Sequence, residues 1–168
     1  MSNSPSCNVS LDKTKENENS AQKTNELNSR MMSLALEQAR KAGQRGEIPI
    51  GAVIVRNGKV IARAHNRRER TQNALNHAEV IAIRKACRKL RSWRLDDCEM
   101  YVTLQPCIMC AGAILNARIR RVVIGALSDR TNDLDVFAHN NLNWTTEVDV
   151  LNDPECASVL RDFFREKR

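Results

Sequence analysis

The chain has 168 residues, of which 42% are hydrophobic and 28% are charged, and its formal net charge is +7 at pH 7. This composition is that of one globular domain with a sizeable core and excludes a fibrous protein. No apolar run approaches the roughly 20 residues of a membrane-spanning helix, and the polar N-terminus lacks a secretory signal. Residues 1–29 hold three lysines and four acidic residues, so the positive excess belongs to the remainder and suits a polyanionic partner.

Residues 1–28 are rich in Ser, Asn, Lys and Glu and contain few large aliphatic side chains. Such a segment cannot bury enough surface to offset the entropy of ordering the chain. It is therefore predicted to be a disordered polar tail that precedes a single domain at residues 29–168. An inert extension is the favoured interpretation, and a targeting or regulatory role is the alternative.

The first half of the predicted domain is a helix, a β-hairpin and a second helix. Asn28 or Ser29 can cap a helix that runs to about residue 44. Its buried stripe follows helical spacing and consists of Met32, Ala35, Leu36 and Ala39. Strands are predicted at 50–56 and 60–65, with the tight-turn pair Asn57-Gly58 between them. A polar loop at 67–76 then precedes a helix at about 77–90.

The second half of the predicted domain alternates strands with helices. Strands are predicted at 100–104, 121–126 and 148–151. Pro106 ends the first of these, and its fixed φ suits the start of a helix at Cys107. The segment 128–143 is a loop or a short helix, and Asp153-Pro154 marks the start of a last helix. The predicted fold class is α/β, with a mixed sheet of about five strands flanked by helices.

Two short motifs carry the chemistry, HAE at residues 77–79 and PCIMC at residues 106–110. One histidine and two cysteines can bind zinc through a nitrogen and two sulfurs, which leaves the fourth tetrahedral position open, as a catalytic zinc requires. Cys107 and Cys110 are one helical turn apart, so both sulfurs point the same way. The predicted metal ligands are therefore His77, Cys107 and Cys110, with one Zn²⁺ per subunit.

Glu79 is not needed as a ligand and is predicted to be the catalytic residue that moves protons. Zinc would lower the pKa of a water and supply hydroxide near neutral pH. The two motifs resemble the H-x-E…P-C-x-x-C signature of zinc-dependent nucleobase deaminases, which implies attack on a ring carbon that carries an exocyclic amine. Glu79 would take the proton of the water and relay it to the ring nitrogen and the departing ammonia. The alternative is a structural zinc with a fourth ligand from Cys98, Cys87 or His139.

Asn66 directly follows the second strand and could hydrogen-bond a base, or it could be a turn asparagine. His65 and His139 are expected at the surface or in packing, and not as ligands. Basic residues are grouped at 67–70, 84–94, 118–121 and the C-terminus. A solvated helix face explains any one of these groups, but several near the motifs favour a phosphate track. Aromatic residues are few, which favours a small number of flipped bases over extended stacking.

From about residue 30 to its end, the chain resembles the bacterial tRNA-specific adenosine deaminases of the cytidine deaminase-like superfamily. The spacing H-x-E…P-C-x-x-C is the known signature of zinc-dependent nucleobase deaminases. The matching stretches are EIPIGAV at 47–53, AHN at 64–66, HAE at 77–79, WRL at 93–95, YVTL at 101–104, PCIMCAGA at 106–113, ARI at 117–119, VVIGA at 122–126, ECA at 155–157 and FFR at 163–165.

The resemblance implies a three-layer cytidine deaminase-like fold and a homodimer whose active sites lie near the subunit interface. It also implies hydrolytic conversion of adenosine to inosine at the wobble position of an arginine tRNA, with the anticodon stem-loop as partner. By the same resemblance, Asn66 contacts the base. The free thiols that the metal needs, and four further cysteines without framework spacing, fit a reducing cytoplasm.

Three places depart from the pattern of that family. Gln105 stands where Glu is usual, residues 127–136 replace a glycine-rich segment, and Asn143-Trp144 replaces Asn-His. The family holds the anticodon loop of its tRNA at these three places, so the departures bear on which substrate is accepted. One alternative substrate is another polynucleotide. A free base or nucleotide, such as cytosine, guanine or deoxycytidylate, is a second. The third alternative concerns the function itself: a non-catalytic, zinc-containing RNA-binding or scaffold subunit, although binding alone would not need Glu79.

Overall fold

The computed structural model describes residues 10–128 and 134–167, with side chains from residue 21 onward. The helices are α1 (Ser10–Gly43), α2 (Arg68–Thr71), α3 (Ala78–Leu90), α4 (Ile108–Asn116), α5 (Asp135–Ala138) and α6 (Pro154–Glu166). The strands are β1 (Gly51–Arg56), β2 (Lys59–His65), β3 (Cys98–Leu104), β4 (Arg121–Ala126) and β5 (Glu147–Val150). Within these ranges, none of the helices has both the length and the apolar character needed to cross a bilayer.

The five strands form one mixed sheet in the order β2-β1-β3-β4-β5. β1 is antiparallel to both β2 and β3, whereas β3, β4 and β5 are parallel. The hairpin turn has the predicted left-handed backbone, with φ of 50° at Asn57 and 71° at Gly58. The carboxyl ends of β3 and β4 lie at one edge, which is where open α/β sheets bind ligands. The predicted five-stranded mixed sheet is confirmed.

Helices cover both faces of the sheet, so the fold has three layers. Side chains alternate along the central strands. Ile54 and Met100 face the layer of α3 and α4, whereas Val53 and Tyr101 face the layer of α1 and α6. All four side chains are fully buried. The three-layer α/β architecture expected from the family resemblance is confirmed.

Helix α1 is longer than predicted. Its buried stripe is as predicted, but the helix begins at Ser10 and not at Asn28 or Ser29. The predicted tail is therefore helical from Ser10 onward, and residues 1–9 lie outside the described residues. Residues 21–26 are exposed, so this extension gains little burial. Extending a formed helix is much easier than nucleating one, and Ala, Gln, Lys and Glu favour it. That the extension is separate from the domain stays a prediction.

Helix α1 is fixed against β1 by a close approach at Gly51. A Cβ at this position would collide with the carbonyl oxygen of Ala35 and stand 2.6 Å from the amide nitrogen of Ala39. Only glycine lets the helix lie this close to the strand. The contact fixes the connection between α1 and β1, and that connection contributes to the site described next.

The two loops nearest the site contain short helices. The segment 67–76, predicted as a polar loop, contains α2, which the sequence analysis missed. The segment 128–143, predicted as a loop or a short helix, contains α5, and residues 129–133 of it lie outside the described residues.

Candidate active site

The three predicted metal ligands meet where α3 and α4 begin. His77 is the N-cap residue of α3 and Cys107 is the N-cap residue of α4, both with extended backbone. Neither side chain caps its own helix, so both are available as ligands. The Nδ1 atom of His77 lies 3.7 Å from Cys107 Sγ and 3.5 Å from Cys110 Sγ. The spacing that predicted these residues thus corresponds to one compact group.

The spacing of the donor atoms fits zinc. With Zn–S of about 2.3 Å and Zn–N of about 2.05 Å, a tetrahedral site places sulfur and nitrogen about 3.6 Å apart. In the described part of the chain, the group of atoms close enough to share a metal ion consists of His77, Cys107 and Cys110. The alternative fourth ligands of a structural zinc are Cys98, Cys87 and His139, and none of them belongs to this group.

The two thiols differ in acidity. A hydrogen bond with Cys110, and then one with His77, lowers the pKa of the Cys107 thiol to about 3. The hydrogen bond with Cys107, followed by burial, raises the pKa of Cys110. The hydrogen bond with Cys107 also raises the pKa of His77. The lowered pKa of Cys107 favours the thiolate, which is the form of cysteine that binds metals.

Glu79 lies in the first turn of α3 and is only 2% exposed. Its Oε2 atom is buried and has no hydrogen-bond partner among the described residues. Burial raises the pKa of this carboxyl group. A buried carboxyl with a raised pKa and an unpaired oxygen can exchange a proton with a molecule bound beside it.

Asn66 connects β2 to the start of α3. Its Oδ1 atom accepts a hydrogen bond of 2.9 Å from the backbone N–H of Ala78, the first residue of that helix. Because this N–H has no partner within the helix, Asn66 supplies the missing acceptor from a distant segment. The amide oxygen is occupied in this way, so the Nδ2 hydrogens are the groups left for a substrate. Contact between Asn66 and a base stays a prediction.

Glu47 holds the loop that joins Asn66 to His77, a role that the sequence analysis did not assign. Its two carboxylate oxygens accept hydrogen bonds from the backbone N–H groups of Glu69, at 3.1 Å, and Arg70, at 2.9 Å. The side chain is 2% exposed. Its place in the family-like stretch 47–53 was the one signal in the sequence, because the bonded residues are more than 20 positions away.

His65 is a buried packing residue, which is one of the two positions, surface or packing, that the sequence analysis expected for it. Its Nε2 atom lies 2.9 Å from Arg45 Nη1, and its Nδ1 atom lies 3.4 Å from Gln38 Oε1. A guanidinium can only donate, so Nε2 is the acceptor and Nδ1 carries the hydrogen. Burial, and then the positive charges of Arg67 and Arg45, lower the pKa of His65 to about 4. His139 is exposed after α5, as the same prediction allowed.

Gln105 joins the ends of β3 and β4 directly before the cysteine motif. Its backbone N–H donates to the carbonyl oxygen of Ala126 at 2.9 Å, and its Oε1 accepts from the backbone N–H of Ser128 at 3.3 Å. It is 6% exposed. This departure from the family pattern therefore lies at the sheet edge where the site is built.

Comparisons with known proteins agree on one group of deaminases. The sequence profile of the MafB19-like deaminases matches residues 26–168. A tRNA-specific adenosine deaminase of Bacillus subtilis (strain 168) is 44% identical over 143 residues, which cover 82% of this chain and 88% of the relative.

Solved structures extend these similarities to the fold. A structure from a study of A-to-I editing by tRNA:A34 deaminases at the wobble position has a TM-score of 0.75 and 42% sequence identity, and the match covers 79% of this chain and 99% of that one. A guanine deaminase from Bacillus subtilis has a TM-score of 0.58 and 31% identity, with 82% and 93% covered. The TM-score and the sequence identity are both higher for the tRNA:A34 deaminase structure than for the guanine deaminase.

Proposed function

Because the chain belongs to the tRNA-specific adenosine deaminases, within the MafB19-like deaminases, we propose that it converts adenosine to inosine at the wobble position of a tRNA. The observation that carries the chemistry is the buried carboxyl of Glu79, with one unpaired oxygen, beside three convergent metal ligands. The anticodon stem-loop of an arginine tRNA is the proposed substrate, and this finer assignment rests on the family resemblance alone.

The proposed cofactor is one zinc ion per subunit, held by Nδ1 of His77 and the sulfurs of Cys107 and Cys110. When bound, zinc acts as a Lewis acid that makes a water molecule nucleophilic near neutral pH. The donor spacing and the thiolate character of Cys107 support this assignment. Reduced cysteines require a reducing compartment, so the cytoplasm is the proposed location.

Glu79 carries the protons of the reaction. Its carboxylate accepts a proton as the water attacks, and the resulting carboxyl delivers that proton to the ring nitrogen beside the reacting carbon. The second proton of the water leaves with the amine, so adenosine and water give inosine and ammonia. The raised pKa suits both steps, because a general acid–base works best when its pKa lies near the working pH.

Asn66 is proposed to orient the base. The bond from the Ala78 N–H holds its amide oxygen, so the Nδ2 hydrogens have a fixed direction in which to donate. The adenine ring carries nitrogen acceptors to which such a donor can bond. The loop fixed by Glu47 begins directly after Asn66 and therefore supports this orientation.

A homodimer is the proposed assembly, with α4 at its contact surface. Ile108 is 64% exposed on the first turn of α4, next to Cys107. Gly112 lies one turn further on, and a Cβ there would have open space around it. An exposed apolar side chain beside a small residue lets a second chain approach closely. Light scattering on the purified protein tests this, and Ile108→Glu is expected to give monomers.

The deciding experiment offers the zinc-loaded protein an arginine-tRNA anticodon stem-loop, free adenosine, free cytidine and guanine. Mass spectrometry detects inosine, uridine and xanthine. We expect inosine in the stem-loop alone. Guanine is included because a guanine deaminase shares the fold at 31% identity. Turnover of a free base or nucleoside without inosine in the stem-loop would reject the proposed substrate and keep the chemistry.

A further inference from the structure

Four basic side chains from different parts of the fold lie together beside the candidate active site. They are Lys41 of α1, Arg45 of the connection between α1 and β1, Arg67 of the loop after β2, and Lys85 of α3, and we name them the basic cluster. We propose that the basic cluster binds phosphate groups of the RNA backbone next to the nucleotide in the active site. This inference rests on the proposed function and names the surface that would hold the backbone of the substrate.

The basic cluster is arranged around His65, the last residue of β2. Arg45 donates to the imidazole at 2.9 Å, and Arg67 is two residues further along the chain. The Nζ atom of Lys85 donates at 2.6 Å to the carbonyl oxygen of Arg63, two residues before His65. Lys41 lies about one helical turn beyond Gln38, which also contacts His65. Four elements thus bring their positive charges to one place at the edge of the sheet.

In the described part of the chain, these charges are not paired with a carboxylate. None of the ion pairs among the described residues involves a member of the basic cluster. Glu47, the buried acid of the same connection as Arg45, uses both of its oxygens on backbone N–H groups. His65 accepts a hydrogen bond at Nε2 and is therefore neutral, so it supplies no charge of either sign.

The repulsion within the basic cluster is visible in two ionisable groups. Burial, followed by the charges of all four cluster residues, lowers the pKa of His65. Burial, followed by Arg67 and Arg84, lowers the pKa of Lys85. Like charges held together without a counter-ion destabilise the free protein, and an anion bound among them removes that cost.

Two members of the basic cluster are held in place before any ligand arrives. Gln38 fixes His65, His65 fixes one nitrogen of Arg45, and the rest of this exposed guanidinium remains free to donate. Lys85 is tied to the edge of β2 through Arg63. Side chains that are already ordered lose less entropy on binding, and a guanidinium matches the geometry of phosphate oxygens.

The basic cluster is continuous with the candidate active site. Arg67 directly follows Asn66, the proposed base contact, and precedes Arg68. The backbone N–H of Arg67 donates at 3.0 Å to the carbonyl oxygen of Asn76, the residue directly before His77. Positive charge therefore extends from the metal ligands to His65. A polyanion with a repeating phosphate fits such a line better than a single small anion does.

The first test compares two variants. One loses an arginine and a lysine charge from the basic cluster, and the other loses an arginine and a lysine charge elsewhere on the surface. The test variant carries Arg45→Gln and Lys85→Gln. The control carries Arg30→Gln and Lys59→Gln, which are exposed residues near the opposite end of the sheet. Binding of a fluorescent anticodon stem-loop is measured by anisotropy over a range of salt concentrations. Both variants have the same net charge, so a difference between them reports on position.

We expect the test variant to bind roughly tenfold more weakly and its salt dependence to flatten. Each phosphate that the variant no longer neutralises reduces the slope of log K against log[salt] by about 0.7 to 0.9. The control should keep the slope of the wild type. A third variant with Arg45→Lys and Lys85→Arg keeps both charges and should also keep that slope, which separates charge removal from misfolding. Equal slopes in the test and control variants would overturn the inference.

The second test locates the contact on the RNA. Single phosphates of the stem-loop are replaced by uncharged methylphosphonates. At one or two positions flanking the wobble nucleotide, the replacement should weaken binding to the wild type and have little further effect on the test variant, because the partner charge is already gone. If the effects of RNA and protein changes simply add at every position, the basic cluster does not bind the backbone.

Turnover separates this inference from the proposed function. The test variant leaves Glu79 and the metal ligands intact, so its kcat should equal that of the wild type. Its KM should rise, and its kcat/KM should fall in proportion. If inosine forms and the test variant has an unchanged KM, this inference alone fails. If no inosine forms, but binding still depends on the basic cluster, the proposed function fails and the phosphate site stands.

Discussion

The basic cluster and the arginines where β3 begins differ in how their charges are paired. Where β3 begins, the three arginines Arg56, Arg120 and Arg121 form ion pairs of 2.5–3.2 Å with Asp97, Glu99 and Asp149. Where β3 ends, the basic cluster has no ion pair among the described residues, and Glu79 has an unpaired buried oxygen. The opposite end shows that this chain can neutralise its arginines where stability is the requirement.

Where β3 begins, the exposed aromatic ring of Trp93 is also contacted by arginine side chains. Trp93 is 57% exposed, and the guanidinium groups of Arg94 and Arg118 lie 5.0 Å and 5.5 Å from the centre of its ring. Native proteins satisfy nearly all of their buried polar groups, and exceptions concentrate at functional sites. The separation is not complete, because the buried Oδ1 of Asp96 at the ion-paired end also has no hydrogen-bond partner among the described residues, and Arg40 pairs with Glu155 near the end of β4. The difference between the basic cluster and the paired arginines is therefore one of charge pairing.

Replacing Glu79, the glutamate with an unpaired buried oxygen, should give the largest effect, and a small effect would break this comparison. Glu79→Gln removes the proton carrier but keeps the shape, so kcat should fall by roughly 10²- to 10⁴-fold. The melting temperature should not fall, because glutamine carries no charge to bury. Inosine formation and thermal denaturation measure the two effects, and zinc content serves as the control. A kcat within tenfold of the wild type would contradict the role of Glu79.

A second change tests whether Glu47 belongs with the functional end. Glu47→Gln keeps one acceptor and leaves one of two backbone N–H groups unpaired, so the free energy of unfolding should fall by about 1–3 kcal/mol. The loop after Asn66 then loses one of its two hydrogen bonds to residue 47, and kcat/KM should fall as well. Glu69→Gln, an exposed change in the same loop, is the control. Denaturant unfolding and stem-loop deamination measure both. Loss of stability with full kcat/KM would make Glu47 purely structural.

The third prediction concerns pH. His65 has a pKa of about 4 in the folded protein, against roughly 6.5 in an unfolded chain. Between these values the unfolded state binds the extra proton, so the free energy of unfolding falls as the pH decreases, by at most about 1.4 kcal/mol per pH unit. The stability difference between wild type and His65→Gln should therefore shrink towards pH 4. A difference that is constant from pH 7 to pH 4 would contradict this protonation behaviour.

The smallest effect is expected at the ion-paired end. Glu99 accepts hydrogen bonds from Arg120 at 2.6 Å and from Arg121 at 3.2 Å, with 19% of its side chain exposed. Glu99→Gln should lower the free energy of unfolding by about 1 kcal/mol, since partly exposed ion pairs contribute little. Deamination should remain at the wild-type level. A clear loss of activity without loss of stability would show that this end also serves the reaction.

The parts of the molecule with local signals were predictable. The hairpin depends on two adjacent residues, and the metal ligands follow from spacings of a few residues at helix starts. The prediction of Glu79 as the proton carrier, which stays a prediction, came from the same local spacing. The last helix was predicted from Asp153-Pro154, and the aspartate does accept hydrogen bonds from the N–H groups of Glu155 and Cys156. Each of these features is decided within about one helical turn.

The parts that the sequence did not predict depend on contacts between distant segments. Arg45 and His65 are 20 positions apart, and Glu47 is more than 20 positions from the N–H groups that it binds. No periodicity or motif reports such pairs. Grouping the basic residues by sequence places Arg67 and Lys85 in separate groups and omits Arg45. The start of α1 was missed because polar residues of moderate helix propensity continue a helix without any local boundary signal.

The position of the candidate ligands at the starts of α3 and α4 has a consequence for the order of folding. Between His77 and Cys107 lies β3, which occupies the centre of the sheet and pairs with β1, where Ala52 is opposite Val102. Such pairing between distant segments forms slowly. The histidine and the two cysteines meet only when it is complete, so a newly made chain should take up the proposed zinc ion late. Copies that stall before that point would stay metal-free and exposed to proteases, and metal content would then report correct assembly.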